Sequence, residues 1–90
     1  MNSSWTIEWD DAALKALKKL ARPAQKQIIH YLETRIQTKE NPRRFGEGLI
    51  ADKKGLWRYR VGDYRVICRI EDEIVCVLVV DVGHRKNIYN

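Results

Sequence analysis

Apolar and polar residues recur at helical spacing in the first half of the chain and alternate in the second half. Near the start, the segment SWTIEW (residues 4–9) alternates tryptophan and isoleucine with polar residues, which predicts a short β-strand. Asp10 and Asp11 follow, and aspartates are natural helix caps. Leucines three residues apart then predict a first helix over about residues 11–21.

A second helical pattern begins at Arg22 and Pro23. Proline suits the first turn of a helix, and apolar residues recur every four positions after it, so an amphipathic helix is predicted over about residues 23–38. A further proline after Asn41 ends the helical region. The stretch 41–55 combines glycines with four basic residues and predicts a long ordered loop. Loops of this length in small domains usually serve a function.

The segment GLWRYRVGDYRVICRI (residues 55–70) predicts a β-hairpin. Two alternating runs flank Gly62 and Asp63, and glycine supplies the positive φ of a tight turn. A two-residue turn places Val61 opposite Tyr64, and the rest of the pairing follows. The apolar face then consists of Trp57, Tyr59, Val61, Tyr64, Val66 and Cys68. The opposite face consists of Arg58, Arg60, Arg65 and Arg69.

The last predicted strand, residues 74–82, is almost continuously apolar. Such a run indicates burial on both faces and an interior position in a sheet. Residues 83–90 form a short tail. The order β-α-α-β-β-β predicts an α+β fold in which two N-terminal helices pack on a mostly antiparallel four-stranded sheet. We expect residues 1–90 to form a single domain.

The arginine-rich face of the hairpin has two explanations. Like charges directly opposite each other destabilise a sheet, so the clustering needs a reason. In one explanation the face is solvated and its arginines pair with Glu71, Glu73 or Asp63. In the other, the guanidiniums bind phosphate, since their planar geometry donates two hydrogen bonds to it. The formal net charge of +5 favours an anionic partner without choosing among nucleic acid, acidic protein and lipid.

Other features limit the remaining classes of protein. The two cysteines lie in apolar strand patterns, which favours reduced core thiols in a cytoplasmic protein. No Cys and His residues are spaced as zinc ligands, and no cofactor is expected. The N-terminus does not resemble a signal peptide, and no segment approaches the roughly 20 apolar residues that cross a bilayer. A membrane partner is therefore not expected.

Three short motifs follow one another along the chain: Leu-Trp-Arg-x-Arg, Gly-Asp-Tyr-Arg-Val and Val-Gly-His-Arg. In this order they closely resemble the RelE/ParE superfamily of bacterial toxins, and its RelE branch most of all. The resemblance implies a toxin that cuts messenger RNA in the A site of the 70S ribosome. It also implies a cognate antitoxin that silences the toxin in a hetero-oligomeric complex. Cleavage of this kind uses the ribose 2′-hydroxyl as nucleophile and needs no metal.

The resemblance also implies roles for individual residues. Family members often carry lysines where this chain has Arg58 and Arg60, and arginine is a poor base because its pKa exceeds about 12. These two arginines are therefore predicted to bind phosphate and stabilise charge. Arg65 matches the arginine that stabilises the transition state, and Arg85 matches the group that assists the leaving oxygen. Tyr89 matches an aromatic residue that stacks on a base.

The proton carrier is predicted separately. His84 is the only imidazole near the cluster, and its ordinary pKa of about 6.5 suits a general base or acid. A histidine at this place could instead simply end the strand. Further basic residues are predicted to contact RNA, namely Arg43, Arg44, Lys53, Lys54 and Arg69.

Two alternative functions remain open. A ParE-like toxin of the same fold binds DNA gyrase and cuts no RNA. A catalytically inactive, RNA-binding member of the family is the other alternative, because arginines replace the lysines at Arg58 and Arg60.

Overall fold

The computed structural model describes residues 4–49 and 55–84. Its strands are β1 (Thr6–Trp9), β2 (Glu47–Gly48), β3 (Leu56–Val61), β4 (Tyr64–Glu71) and β5 (Cys76–His84). Its helices are α1 (Asp11–Lys18) and α2 (Arg22–Tyr31), and α2 continues into a π-helical turn over Leu32–Ile36. Short 3-10 turns cover Pro42–Arg44 and Asp72–Ile74.

α2 buries the apolar stripe that the sequence predicts, whereas α1 ends at Lys18, three residues before its predicted end, and leaves Leu14 36% exposed. The carboxylate of Asp10 accepts a hydrogen bond from the amide of Ala12 at 2.9 Å, which caps α1. Buried residues at helical spacing then form the stripes that face the sheet, namely Ala13, Leu17, Ala24, Ile28, Leu32 and Ile36. The second helical segment ends at Ile36, two residues before its predicted end.

The sheet confirms the α+β fold with two N-terminal helices, and it contains one strand more than predicted. Its strand order is β1-β5-β4-β3-β2. β1 pairs with β5 in parallel, and the other pairs are antiparallel. The additional strand, β2, has only two residues, too few to produce an alternating pattern. β5 lies between β1 and β4, which confirms its predicted interior position.

The register of the hairpin confirms the predicted pairs. Val61 lies opposite Tyr64, and Arg60 lies opposite Arg65. Gly62 has a φ of 60°, so the turn uses the conformation that glycine tolerates. The apolar face of the hairpin packs into the core beneath the helices, where Tyr59 is fully buried. The free thiols of Cys68 and Cys76 are also buried.

A β-bulge changes the alternation of β5. Cys68 pairs with Val79, but its neighbour Ile67 pairs with Asp81, so Val80 is an extra residue on β5. Val77 and Val79 face the helices before the bulge, and Val82 faces them after it. The bulge therefore turns Asp81 to the opposite face of the sheet.

Two aromatic side chains of β3 fix the segment that precedes β2. The hydroxyl of Tyr59 donates to the carbonyl of Pro42 at 2.7 Å, and the indole Nε1 of Trp57 donates to the carbonyl of Phe45 at 2.7 Å. Gly46 has a φ of 76°, and a Cβ there would lie 2.3 Å from the carbonyl oxygen of Arg58. These contacts hold β2 against β3, and residues 50–54 of the predicted loop lie outside the described residues.

Candidate functional site

The face of the sheet opposite the helices carries the predicted arginines. We call it the arginine face, and it contains Arg58, Arg60, Arg65 and Arg69. Arg60 lies opposite Arg65, whose other neighbour on β5 is Gly83. Directly opposite residues have Cβ atoms about 5 Å apart, so these two side chains start as close neighbours. Arg69 lies four residues along β4 from Arg65, roughly 13 Å away.

The arginines of the two neighbouring strands affect each other electrostatically. The pKa of Arg58 is lowered by burial, and then by the positive charges of Arg65 and Arg60. Arg65 is only 8% exposed, whereas Arg60 is exposed. The structure therefore brings three of the four arginines into one charged cluster, which we call the arginine cluster. Burial and mutual repulsion both disfavour the charged state of this cluster, and a bound anion would offset both costs.

Carboxylates also lie on this face, and one of them pairs with the cluster. Glu47 of β2 lies opposite Arg58 and forms an ion pair with it. The side chain of Glu47 is 60% exposed, and that of Arg58 is 15% exposed. Glu47 was not predicted as a site residue, because it belongs to a strand of only two residues. The only sequence feature that pointed to Glu47 was its position in a predicted loop of unusual length.

Arg69 fits the other explanation given above, in which the arginine face is solvated. Arg69 lies 4.0 Å from Glu71, and both side chains are partly exposed. An exposed pair at this distance contributes little to stability. Arg69 therefore belongs to a solvated edge of the arginine face, apart from the cluster.

His84 does not lie with the arginines. It pairs with Tyr64, and their rings form an edge-to-face contact with centroids 5.7 Å apart on the side of the sheet that the helices cover. Unbroken alternation from Val77 would have placed His84 on the arginine face. The bulge at Val80 reverses that placement, so the sheet separates the imidazole from the guanidiniums.

Two predicted RNA contacts also lie away from the arginine face. Arg43 donates two hydrogen bonds of 2.8 Å to the carboxylate of Asp72. This pairing raises the pKa of Arg43 and lowers that of Asp72. The guanidinium of Arg44 lies 4.5 Å from the ring centroid of Phe45, which packs against the core on the helix side.

Four further predicted residues lie outside the described residues, and their roles stay predictions. They are Lys53, Lys54, Arg85 and Tyr89. Within the described ranges, no group of three or more His, Cys, Asp or Glu residues is placed to hold a metal ion. The described helices include none that is long and apolar enough to span a membrane.

Comparison with known proteins gives consistent matches along the chain. Residues 7–89 match the family model described as ParE toxin of type II toxin-antitoxin system, parDE. Toxin RelG of Mycobacterium tuberculosis (strain ATCC 25618 / H37Rv) is 28% identical over 85 residues, which cover 94% of this chain and 95% of that toxin.

Solved structures of similar fold include toxin–antitoxin complexes. The RelBE2 complex from Mycobacterium tuberculosis contains a chain with a TM-score of 0.82 and 26% identity, covering 94% of this chain and 95% of that one. The archaeal RelE-RelB complex from Pyrococcus horikoshii OT3 gives a TM-score of 0.67 at 21% identity, covering 94% and 99%. The second match shows a shared fold.

Proposed function

The chain belongs to the family of ParE toxins of type II toxin–antitoxin systems, within the RelE/ParE superfamily, and on this premise we propose that it is a ribosome-dependent endonuclease that cuts messenger RNA. The observation that carries the proposal is the arginine cluster of Arg58, Arg60 and Arg65. It concentrates positive charge on a sheet face that the helices leave uncovered. A cytoplasmic site of action follows from the ribosome as partner.

The chemistry requires little beyond positioning and charge. The ribose 2′-hydroxyl attacks the adjacent phosphorus, a phosphorane carrying extra negative charge forms, and the 5′-oxygen leaves. Guanidiniums fixed before the reaction stabilise this charge without reorganisation. Arg65, which is held within the sheet and almost fully buried, suits this role best. Arg58 and Arg60 bind the neighbouring phosphate oxygens through paired hydrogen bonds.

Glu47 replaces His84 as our candidate general base. A base must lie within hydrogen-bond reach of the proton it removes. The carboxylate of Glu47 contacts the cluster through Arg58 and remains open to solvent, so a ribose bound at the cluster can approach it. Arg85 as donor to the leaving oxygen and Tyr89 as stacking residue complete the proposal on the strength of the resemblance.

The antitoxin is proposed to cover the same charge. A type II antitoxin that presents an acidic or amphipathic segment would compete with RNA for the arginine face or add to an edge of the sheet. The solved relatives crystallised as RelB–RelE and RelBE2 complexes are consistent with such a partner for this chain.

A reconstituted cleavage reaction tests the function. Purified protein is mixed with ribosomes that carry a defined message, and primer extension locates cuts; a DNA gyrase supercoiling reaction runs in parallel. We expect cuts within the A-site codon, and we expect their loss with Arg60→Ala. Gyrase inhibition with intact messages would establish the second candidate, which the ParE name of the family model favours. Ribosome binding without cleavage would indicate an inactive, RNA-binding member.

A further inference from the structure

A groove beside the arginine cluster has no role in the proposed chemistry. It has a volume of about 300 Å³ and lies between α2, its π-helical turn and the end of β3. Its polar lining consists of Gln27, His30, Tyr31, Thr34, Arg35 and Arg60. Arg60 is thus shared by the groove and the arginine cluster, so the two sites are continuous.

The groove exists because β2 is short. Within the described residues, β2 pairs only with Trp57 and Arg58, so the following residues of β3 pair with β4 on one side and have no strand on the other. The hairpin turn closes one end, where a Cβ on Gly62 would lie 2.7 Å from the side-chain amide nitrogen of Gln27. A polar recess next to the arginine cluster therefore lies where β2 no longer pairs with β3.

Arg35 gives the groove a second guanidinium. Its guanidinium carbon lies 6.0 Å from the ring centroid of Tyr31 and 5.5 Å from that of Phe45, so aromatic rings hold it in place. The π-helical turn, a feature that is frequent at functional sites, carries it. Among the residues that the structure describes, neither Arg35 nor Arg60 has a carboxylate within 4.0 Å.

We propose that this groove binds the sugar–phosphate backbone of the message immediately 3′ of the codon that is cut. Arg35 binds the phosphate there, next to Arg60 of the arginine cluster. The hydroxyl of Thr34 already donates to the carbonyl of His30 at 2.8 Å, so its oxygen accepts from a ribose hydroxyl. We assign the groove to the 3′ side of the cut codon because the codon on its 5′ side is base-paired to a transfer RNA. This inference rests on the proposed function and extends it to a neighbouring nucleotide.

The test measures the coupling between Arg35 and the nucleotides beyond the codon. Ribosomes are programmed with two messages, one ending at the A-site codon and one extending several nucleotides further. Both carry 2′-O-methyl groups in that codon, so binding is measured without cleavage. The proteins compared are wild type, Arg35→Gln, Arg35→Lys and Arg22→Gln. Arg22 is exposed at the start of α2, outside the groove, and its substitution removes the same charge.

Wild type and Arg22→Gln are expected to bind the longer message about fivefold more tightly than the shorter one, as one extra phosphate contact implies. Arg35→Gln is expected to bind both messages equally, and Arg35→Lys to retain most of the difference. Because each protein is compared with itself, a change in its stability does not produce this pattern.

Each other outcome overturns the groove site. If Arg35→Gln keeps the preference for the longer message, Arg35 does not contact it. If Arg35→Gln lowers the affinity for both messages by the same factor, Arg35 binds ribosomal RNA instead. In either case, cleavage of unmodified message by wild type leaves the proposed function standing, whereas failure of wild type to bind ribosomes overturns both proposals.

Discussion

Arg60 and Arg65 lie directly opposite each other on β3 and β4, a position where like charges destabilise a sheet. Arg65 is 8% exposed, so water screens the repulsion less than it would on an open surface. On β5, the residue opposite Arg65 is Gly83, which contributes no side chain. A phosphate bound to both guanidiniums would neutralise the repulsion between these two opposed charges.

Replacing one member of this pair should stabilise the free protein and impair its function. Arg60→Thr removes the opposed charge and introduces a residue that favours strands, so the free energy of unfolding should rise by about 0.5 kcal/mol. Urea denaturation measures the change. Cleavage of ribosome-bound message should fall in the same variant.

Arg69→Thr is the matched control for this prediction. It makes the same substitution on the same face, but Arg69 lies opposite Leu56, so no gain in stability is expected. Equal gains in both variants would mean that the overall positive charge, and not the opposed pair, is what costs stability.

Glu47→Gln should separate binding from catalysis. The amide keeps the shape of the side chain but accepts a proton poorly, so kcat should fall at least about 100-fold. Affinity for programmed ribosomes should be unchanged or higher, because Arg58 loses a competing carboxylate. Single-turnover cleavage and equilibrium binding give the two values. Glu40→Gln, at an exposed position in the turn before β2, is the control. Full cleavage by Glu47→Gln would exclude the carboxylate as the base.

His84→Phe tests the alternative base. Phenylalanine preserves the edge-to-face contact with Tyr64 but cannot carry a proton. Since His84 lies on the helix side of the sheet, we expect cleavage within about threefold of wild type, a much smaller loss than general-base removal causes. Cleavage rates between pH 6 and 8 are the measurement. A loss as large as that of Glu47→Gln, in a variant of normal stability, would restore the imidazole to the mechanism.

The sequence could predict those features whose patterns are local. Alternation on both sides of Gly62 determines the register of the hairpin, and with it the arginine cluster. The bulge at Val80 could not be predicted, because a strand that is apolar throughout has no alternation to break. The face of His84 depends on that bulge, so its placement was wrong. Glu47 was missed because a two-residue strand has no periodicity.

Val75 offers a way to stabilise the protein away from the site. Its φ of 52° and ψ of 50° are left-handed, a conformation that costs an L-residue about 1 kcal/mol or more and that β-branched residues rarely adopt. Its carbonyl accepts a hydrogen bond from the amide of Thr6 at 3.0 Å, which ties β1 to the start of β5. Val75→Gly should therefore raise the free energy of unfolding by about 1 kcal/mol. Thermal and urea denaturation check it.

The neighbouring residue supplies the control for this prediction. Ile74 is 69% exposed and has a negative φ, so Ile74→Gly should give no gain. A loss of stability in Val75→Gly would show that the packing of the valine side chain outweighs the relief of its backbone.

The pair of Arg43 and Asp72 should make stability depend on pH. Hydrogen bonds from Arg43 lower the pKa of the Asp72 carboxyl below its ordinary value of 3.8. A carboxyl whose pKa is lower in the folded state stabilises the protein above its unfolded pKa, and this contribution disappears as pH falls through the folded value. Asp72→Asn should therefore be less stable than wild type at pH 7, and the difference should vanish in acid. Urea denaturation from pH 7 down to about pH 2.5 measures it. Glu73→Gln, at the next exposed position, should parallel wild type throughout. A difference between wild type and Asp72→Asn that persists unchanged at the lowest pH would mean that the ionised carboxylate is not what holds the 3-10 turn of Pro42–Arg44 to the end of β4.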